Sequence, residues 1–218
     1  MEDVSFVYIT LLCINLTLLL LLWYRNKIEL PLKFLTFIIV SSLLIEISTS
    51  TIFDYLPNNL FLYHIYNPVE FFLYSLFFAS LILAKKMRRI LYFLIPVYLI
   101  TAIILSLFVQ KINVNNSYAI TIESLCIILY TLLYLRQINL YQIDNRAEKN
   151  PYFWIVIGVF LYFTGNLFID GFLNFLLKIN VDTARFYYRF SYLYKYLMGI
   201  MFMAGISMKQ MTNPKFTK

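Results

Sequence analysis

Residues 4–27 read VSFVYITLLCINLTLLLLLWYRNK, a mainly apolar run that ends in Trp23 and Tyr24 and is followed at once by Arg25 and Lys27. At 1.5 Å per residue such a run makes a helix of roughly 30 Å, the thickness of the hydrocarbon layer of a bilayer. An aromatic pair at the boundary and basic residues beyond it are what a membrane span carries at its cytoplasmic end. Glu2 and Asp3 precede the run, where a cleavable leader would need positive charge, and no small-residue cleavage pattern follows it. The segment therefore reads as a retained span.

The pattern recurs along the chain. Further apolar stretches occupy 32–53, 61–84, 90–109, 118–136, 152–175 and 186–207, beside the first at 4–24. The chain is 61% hydrophobic and 13% charged, against roughly 25% charged in ordinary soluble domains. The stretches lack the period-two alternation of barrel strands, so each predicts a helix. The expected fold is all-α: a polytopic seven-transmembrane helix bundle forming a single integral membrane domain over 1–218. Cys13 and Cys126 fall within spans and read as packing residues.

Basic residues orient it. Arg25, Lys27 and Lys33 follow span 1; Lys85, Lys86, Arg88 and Arg89 follow span 3; Arg136, Arg146 and Lys149 follow span 5; Lys209, Lys215 and Lys218 form the tail. The opposite side carries Lys111, Lys178 and Arg185. The positive-inside rule then predicts an outside N-terminus and a cytoplasmic C-terminus, in a multi-pass protein of the cell inner membrane. The net charge of +7 is accounted for by a cytoplasmic rim against anionic lipid, the bilayer being the first partner, and no nucleic acid is required. The 137–151 loop is too short for a core of its own, so any soluble output belongs to another chain. Turn residues mark the outer loops at Pro57, Asn58 and Asn59 and at Asn113, Asn115 and Asn116, while Asn150-Pro151 opens span 6.

Counting inward from the outer ends gives a polar layer. Glu46 lies about 10 Å down span 2, Glu70 about 12 Å down span 3, Glu123 about 8 Å down span 5 and Lys195 about 14 Å down span 7. Asn166 and Asp170 lie about 14 and 8 Å down span 6. The inner half is nearly all apolar. Helical phase groups these residues: His64, Asn67, Glu70 and Tyr74 share a face of span 3; Tyr162, Asn166 and Asp170 align on span 6; Tyr188, Ser191 and Lys195 align on span 7. A charge facing lipid near mid-membrane costs about 2.5–3.5 kcal/mol, so these faces should turn inward. The expected site is a water-accessible pocket in the outer half, lined by these residues, with Lys195 paired to Glu70 or Glu123. Tyr63, Tyr66, Tyr187, Tyr188, Tyr192 and Tyr194 read as an interfacial belt.

Several chemistries are set aside by the residues. A lysine in the last of seven spans invites comparison with the retinal-binding rhodopsins. The position four residues before Lys195, which in the microbial type holds the carboxylate counter-ion, is Ser191, and Trp23 and Trp154 lie near the cytoplasmic ends. Zinc hydrolysis inside a membrane needs several histidines, and the chain has His64 alone. No catalytic residue, metal or cofactor is assigned.

Three segments carry a resemblance: YHIYNPVEFFLY at 63–74, IESL at 122–125 and YFWIVIGVFLYFTGN at 152–166. They resemble a family of uncharacterised seven-span membrane proteins of Bacteroidota, whose members show "H-I-Y-x-x-x-E-F" and "Y-F-x-G-N" in the third and sixth spans. The resemblance implies that Glu70, Glu123 and Asn166 hold that family's polar positions, while span 7 with Lys195 departs from its pattern. It brings no activity with it.

The expected function is a ligand-sensing or signal-relaying bundle without an output domain. A small ligand from outside would enter the pocket, and the basic cytoplasmic loops would contact a separate signalling protein, cytoplasmic or membrane-bound. The alternatives are a proton- or cation-coupled transporter or channel, and a membrane enzyme acting on lipid with Glu70 or Glu123 as base.

Overall fold

The computed structural model describes residues 2–52, 60–141 and 146–211. The turn expected at Pro57, Asn58 and Asn59 and the tail lysines Lys215 and Lys218 lie outside them, as do the side chains of Lys178 and Arg185. Among the described residues there are seven α-helices and no strand: α1 Glu2–Tyr24, α2 Leu30–Ile52, α3 Phe61–Leu81, α4 Lys85–Ile104, α5 Ser117–Tyr141, α6 Pro151–Ile179 and α7 Val181–Met211. A π-helical turn, Leu105–Val109, extends α4, and a 3-10 turn, Ala147–Lys149, precedes α6.

Local chemistry sets the ends. Asn26 follows α1 with φ 53°, and the Lys27 and Asn26 amides donate to the Leu22 and Trp23 carbonyls at 3.0 and 2.9 Å. That is a Schellman stop with Asn in the place usually held by Gly. Asn150 caps α6, its Oδ1 accepting from the Tyr152 amide at 2.9 Å with Pro151 in the first helical position. Asn180 alone separates α6 from α7. Its Oδ1 accepts from the amides of Asp182 and Thr183, so α7 starts at Val181, earlier than the apolar run from 186 indicates.

Five helices, α1, α2, α4, α5 and α6, are long and apolar enough to cross a membrane, which marks a multi-pass membrane protein. α3 and α7 have 21 and 31 residues, but His64, Asn67 and Glu70 lower the hydropathy of α3, and Arg189, Lys195 and several tyrosines that of α7. These two are the helices with most to hide. α1, α2, α3, α5, α6 and α7 close a ring in that order, with α4 set against α3 and α5. Exposed Leu, Ile and Phe side chains, such as Phe6, Leu44, Phe93 and Leu129, cover the outside, as a lipid-facing surface requires. Cys13 is among the exposed residues, so its expected packing role does not hold.

The centre is aromatic. Phe71, Tyr74, Phe77 and Phe78 of α3 are fully buried. Phe71 packs on Tyr98 with centroids 4.0 Å apart, and Tyr74 meets Phe163 edge-on at 5.1 Å. α6 and α7 interlock through glycines. A Cβ at Gly165 would sit 2.4 Å from the Tyr194 ring, and one at Gly205 would sit 2.6 Å from the Pro151 carbonyl oxygen. Small residues let the two backbones approach, the usual basis of helix association in lipid.

Candidate functional site

The polar faces do turn inward: Glu46, Asn67, Glu70, Glu123, Asn166 and Ser191 are all buried. Neighbouring helices sort them into distinct groups.

The first group joins α1, α2 and α7. Lys195 Nζ lies 3.2 Å from Glu46 Oε2. The expectation that Lys195 pairs with Glu70 or Glu123 is thereby corrected. Depth did not separate the three carboxylates, and the helix ring does: α7 packs on α1, α1 packs on α2, and a lysine is long enough to reach past α1 to Glu46. The other carboxylate oxygen, Oε1, accepts from Tyr192 Oη at 2.9 Å and Ser5 Oγ at 3.2 Å. Lys195 Nζ also stands over the ring faces of Tyr192, at 4.5 Å, and Tyr8, at 5.1 Å. Ring faces are negative, so both add to the carboxylate's hold on the ammonium.

The second group centres on α3 and α5. Tyr98 Oη lies 3.3 Å from Glu123 Oε2 and at the same distance from the Ala119 carbonyl. Tyr66 Oη lies 3.0 Å from Ser42 Oγ, and its side chain neighbours Glu70. Glu70 is within electrostatic reach of Glu123, Asp170 and Lys195. Among the described residues, Glu123 Oε1, Asn67 Nδ2 and Asn166 Oδ1 have no hydrogen-bond partner although each is shielded from solvent. Buried polar atoms without partners are uncommon in native proteins and draw attention to what else could meet them.

The remaining predicted residues serve as walls and fasteners. Tyr74 donates to Met198 Sδ at 3.7 Å, beneath the polar layer. Tyr162 packs edge-on to Phe163 and Tyr188 edge-on to Tyr192. Ser191 donates to the Tyr188 carbonyl at 2.7 Å, one turn back on its own helix. His64 faces away from the carboxylates, its ring nitrogens 2.8 Å from Ser106 Oγ and 2.9 Å from the Val114 carbonyl. The Asp170 carbonyl accepts from Asn115 Nδ2 at 3.3 Å. The α4–α5 loop is thus pinned to α3 and to α6, with Asn115 and Asn116 turned inward and buried. The described cavity, about 280 Å³, is an apolar groove between α3 and α4 that includes Phe61, Pro68, Ile103 and Leu107, and His64 alone of the predicted residues borders it.

Sequence reasoning overlooked Ser5, Tyr8 and Asn15 on α1, because the run as a whole is mainly apolar. A signal was present: Tyr8, Leu12, Asn15, Leu19 and Leu22 form one helical stripe, and all are buried. Asn15 Nδ2 donates to the Gly199 carbonyl at 3.0 Å, tying α1 to α7. It also overlooked Arg189, exposed in the N-terminal third of α7. Tyr66 and Tyr192, read as belt residues, turn inward to Ser42 and Glu46, whereas Tyr187 is exposed.

A second ion pair lies at the other end of the bundle. Lys209 of α7 pairs with Glu29, in the turn between α1 and α2, at 2.5 Å, and Tyr152 Oη donates to the same carboxylate. Partial burial works against the Glu29 charge, but the hydrogen bonds from Lys209 and Tyr152 prevail and hold its pKa below the ordinary glutamate value. Among the described residues no group of three or more His, Cys, Asp or Glu could hold a metal ion. No family model, curated protein or solved structure matches the chain.

Proposed function

We propose that this chain is a seven-span protein of the cell inner membrane, N-terminus outside, that senses a small ligand on the outer side and relays the event to a separate protein at its cytoplasmic face. The observation that carries the reading is the pair of ion bridges on one helix. α7 is fastened to the α1–α2 hairpin by Lys195–Glu46 near one end and Lys209–Glu29 near the other. The two lysines are fourteen residues apart, about 21 Å and close to four whole turns, so they share a face of a stiff rod. A ligand that releases the outer bridge frees that rod to shift or rotate, and the inner bridge feels it. Such a change needs two states that the ligand binds unequally. The basic residues at the ends of α3 and α5 supply the docking charge for the partner. Kinship with the Bacteroidota seven-span family belongs to the same reading, with Glu70, Glu123 and Asn166 as its inward polar positions.

Hydrogen exchange in lipid nanodiscs tests the relay. Glu46→Gln is expected to speed exchange at the inner end of α7 and in the 25–29 turn, while Phe6→Ala, at an exposed position, leaves both unchanged. Unaltered inner exchange in a folded Glu46→Gln protein would sink the relay.

A second reading, transport of a proton or cation, is favoured by the unpartnered Glu123 Oε1 beside Glu70. It requires flux in proteoliposomes that Glu70→Gln abolishes.

A further inference from the structure

We infer that Glu46, Tyr8 and Tyr192 form a binding box for a small organic ammonium, in which Lys195 is the resident cation. The inference deepens the relay reading and rests on it for what binding does, although the chemistry of the box stands on its own geometry.

Three surfaces presented to Lys195 Nζ are negative: a carboxylate oxygen at 3.2 Å and the faces of two tyrosine rings at 4.5 and 5.1 Å. Aromatic faces arranged about a carboxylate are the surroundings that recognise ammonium groups. An anion competing with Glu46 for Lys195 would have to lie against those ring faces, which repel it. The box is therefore selective for the sign of charge that Lys195 carries.

Glu46 also has partners other than the lysine. Tyr192 and Ser5 both donate to Glu46 Oε1, the oxygen that Lys195 does not use. The carboxylate is thus held from α7 and α1 independently of the ion pair. Glu70 and Asp170 also attract the Lys195 charge. The layer holds more acids than bases, a surplus that a purely structural network would not need. An incoming ammonium takes Glu46, Lys195 moves toward Glu70, and the outer fastening of α7 is undone. No bond is made or broken; one cation replaces another.

Thermal unfolding of the full chain in detergent or nanodiscs, with methylammonium chloride compared against potassium chloride at equal ionic strength, tests this. Wild type is expected to be stabilised by methylammonium and not by potassium. Lys195→Ala, which removes the internal competitor, should bind methylammonium at least about 10-fold more tightly. Glu46→Gln should abolish the difference between the salts, and Tyr192→Leu should weaken it. Should Lys195→Ala fail to fold, wild type against Glu46→Gln decides. The proposal is overturned if methylammonium and potassium act alike on both wild type and a folded Lys195→Ala, or if Glu46→Gln responds as wild type does. An ammonium effect without altered exchange at the inner end of α7 would keep the box and remove the relay. Altered exchange in Glu46→Gln with no ammonium effect would do the reverse.

Discussion

Lys195 and Glu46 meet across α1 at 3.2 Å, joining α7 to α2, two helices that α1 holds apart in the ring. Their side chains are only 12% and 5% exposed, so neither charge has water to fall back on. Removing one member of a buried pair costs about 3–5 kcal/mol, because the other is left charged and alone. Lys195→Met or Glu46→Ala should lower stability by about that amount. The double substitution should recover much of the loss, a coupling visible in a double-mutant cycle. Additive losses would show that the two side chains do not act as a pair.

The Glu29–Lys209 bridge predicts a dependence on pH. The folded-state pKa of Glu29 is depressed, so its contribution is fully present above the ordinary glutamate range and is lost as pH falls through the lower, folded value. Melting temperature should therefore decline on acidification below the ordinary range, and Lys209→Met should flatten that part of the profile. Glu29 is half-exposed, so the effect is small and salt should reduce it further.

What could be read in the sequence follows from what is local. The existence of seven helices, the opening of α6 at Asn150-Pro151 and the inward phase of Asn67, Glu70 and Tyr74 are properties of single helices, and they hold in the folded chain. Partner choice is a property of helix order around the ring. Seven similar rods can be arranged in many ways, so Glu46, Glu70 and Glu123, at nearly equal depth, could not be told apart as partners of Lys195. His64 shows the same limit. Its phase matched the site, but a side chain at a helix end can also turn toward a loop, and the loop took it. Tyr8 and Asn15 escaped notice because their neighbours made α1 look mainly apolar, even though they lie on one stripe.

His64 bridges Ser106, in the π-helical turn after α4, and the Val114 carbonyl in the loop beyond it. His64→Phe should free that loop, raising hydrogen exchange across 110–116 several-fold, with the exchange of α1 and α2 unchanged. A loop equally protected in the variant would mean that Asn115 and its bond to the Asp170 carbonyl suffice.

Close packing of α6 on α7 can be tested at two glycines of different tolerance. At Gly165 an added methyl group meets the base of the Tyr194 ring at 2.4 Å, and the ring must change rotamer to admit it, with no backbone in the way. At Gly205 it meets the Pro151 carbonyl oxygen at 2.6 Å and Ile155 Cγ1 at 2.7 Å, and backbone cannot yield without parting the helices. Overpacking typically costs about 1–3 kcal/mol. Gly205→Ala should fall at the upper end of that range and Gly165→Ala at the lower, as measured by unfolding in mixed micelles. The Gly205 variant should also disturb the nearby Lys209–Glu29 bridge, because α7 must move away from Pro151 just where Lys209 reaches across. The pH profile predicted for that bridge would then be flattened in Gly205→Ala and retained in Gly165→Ala, a distinction that a general loss of stability would not produce.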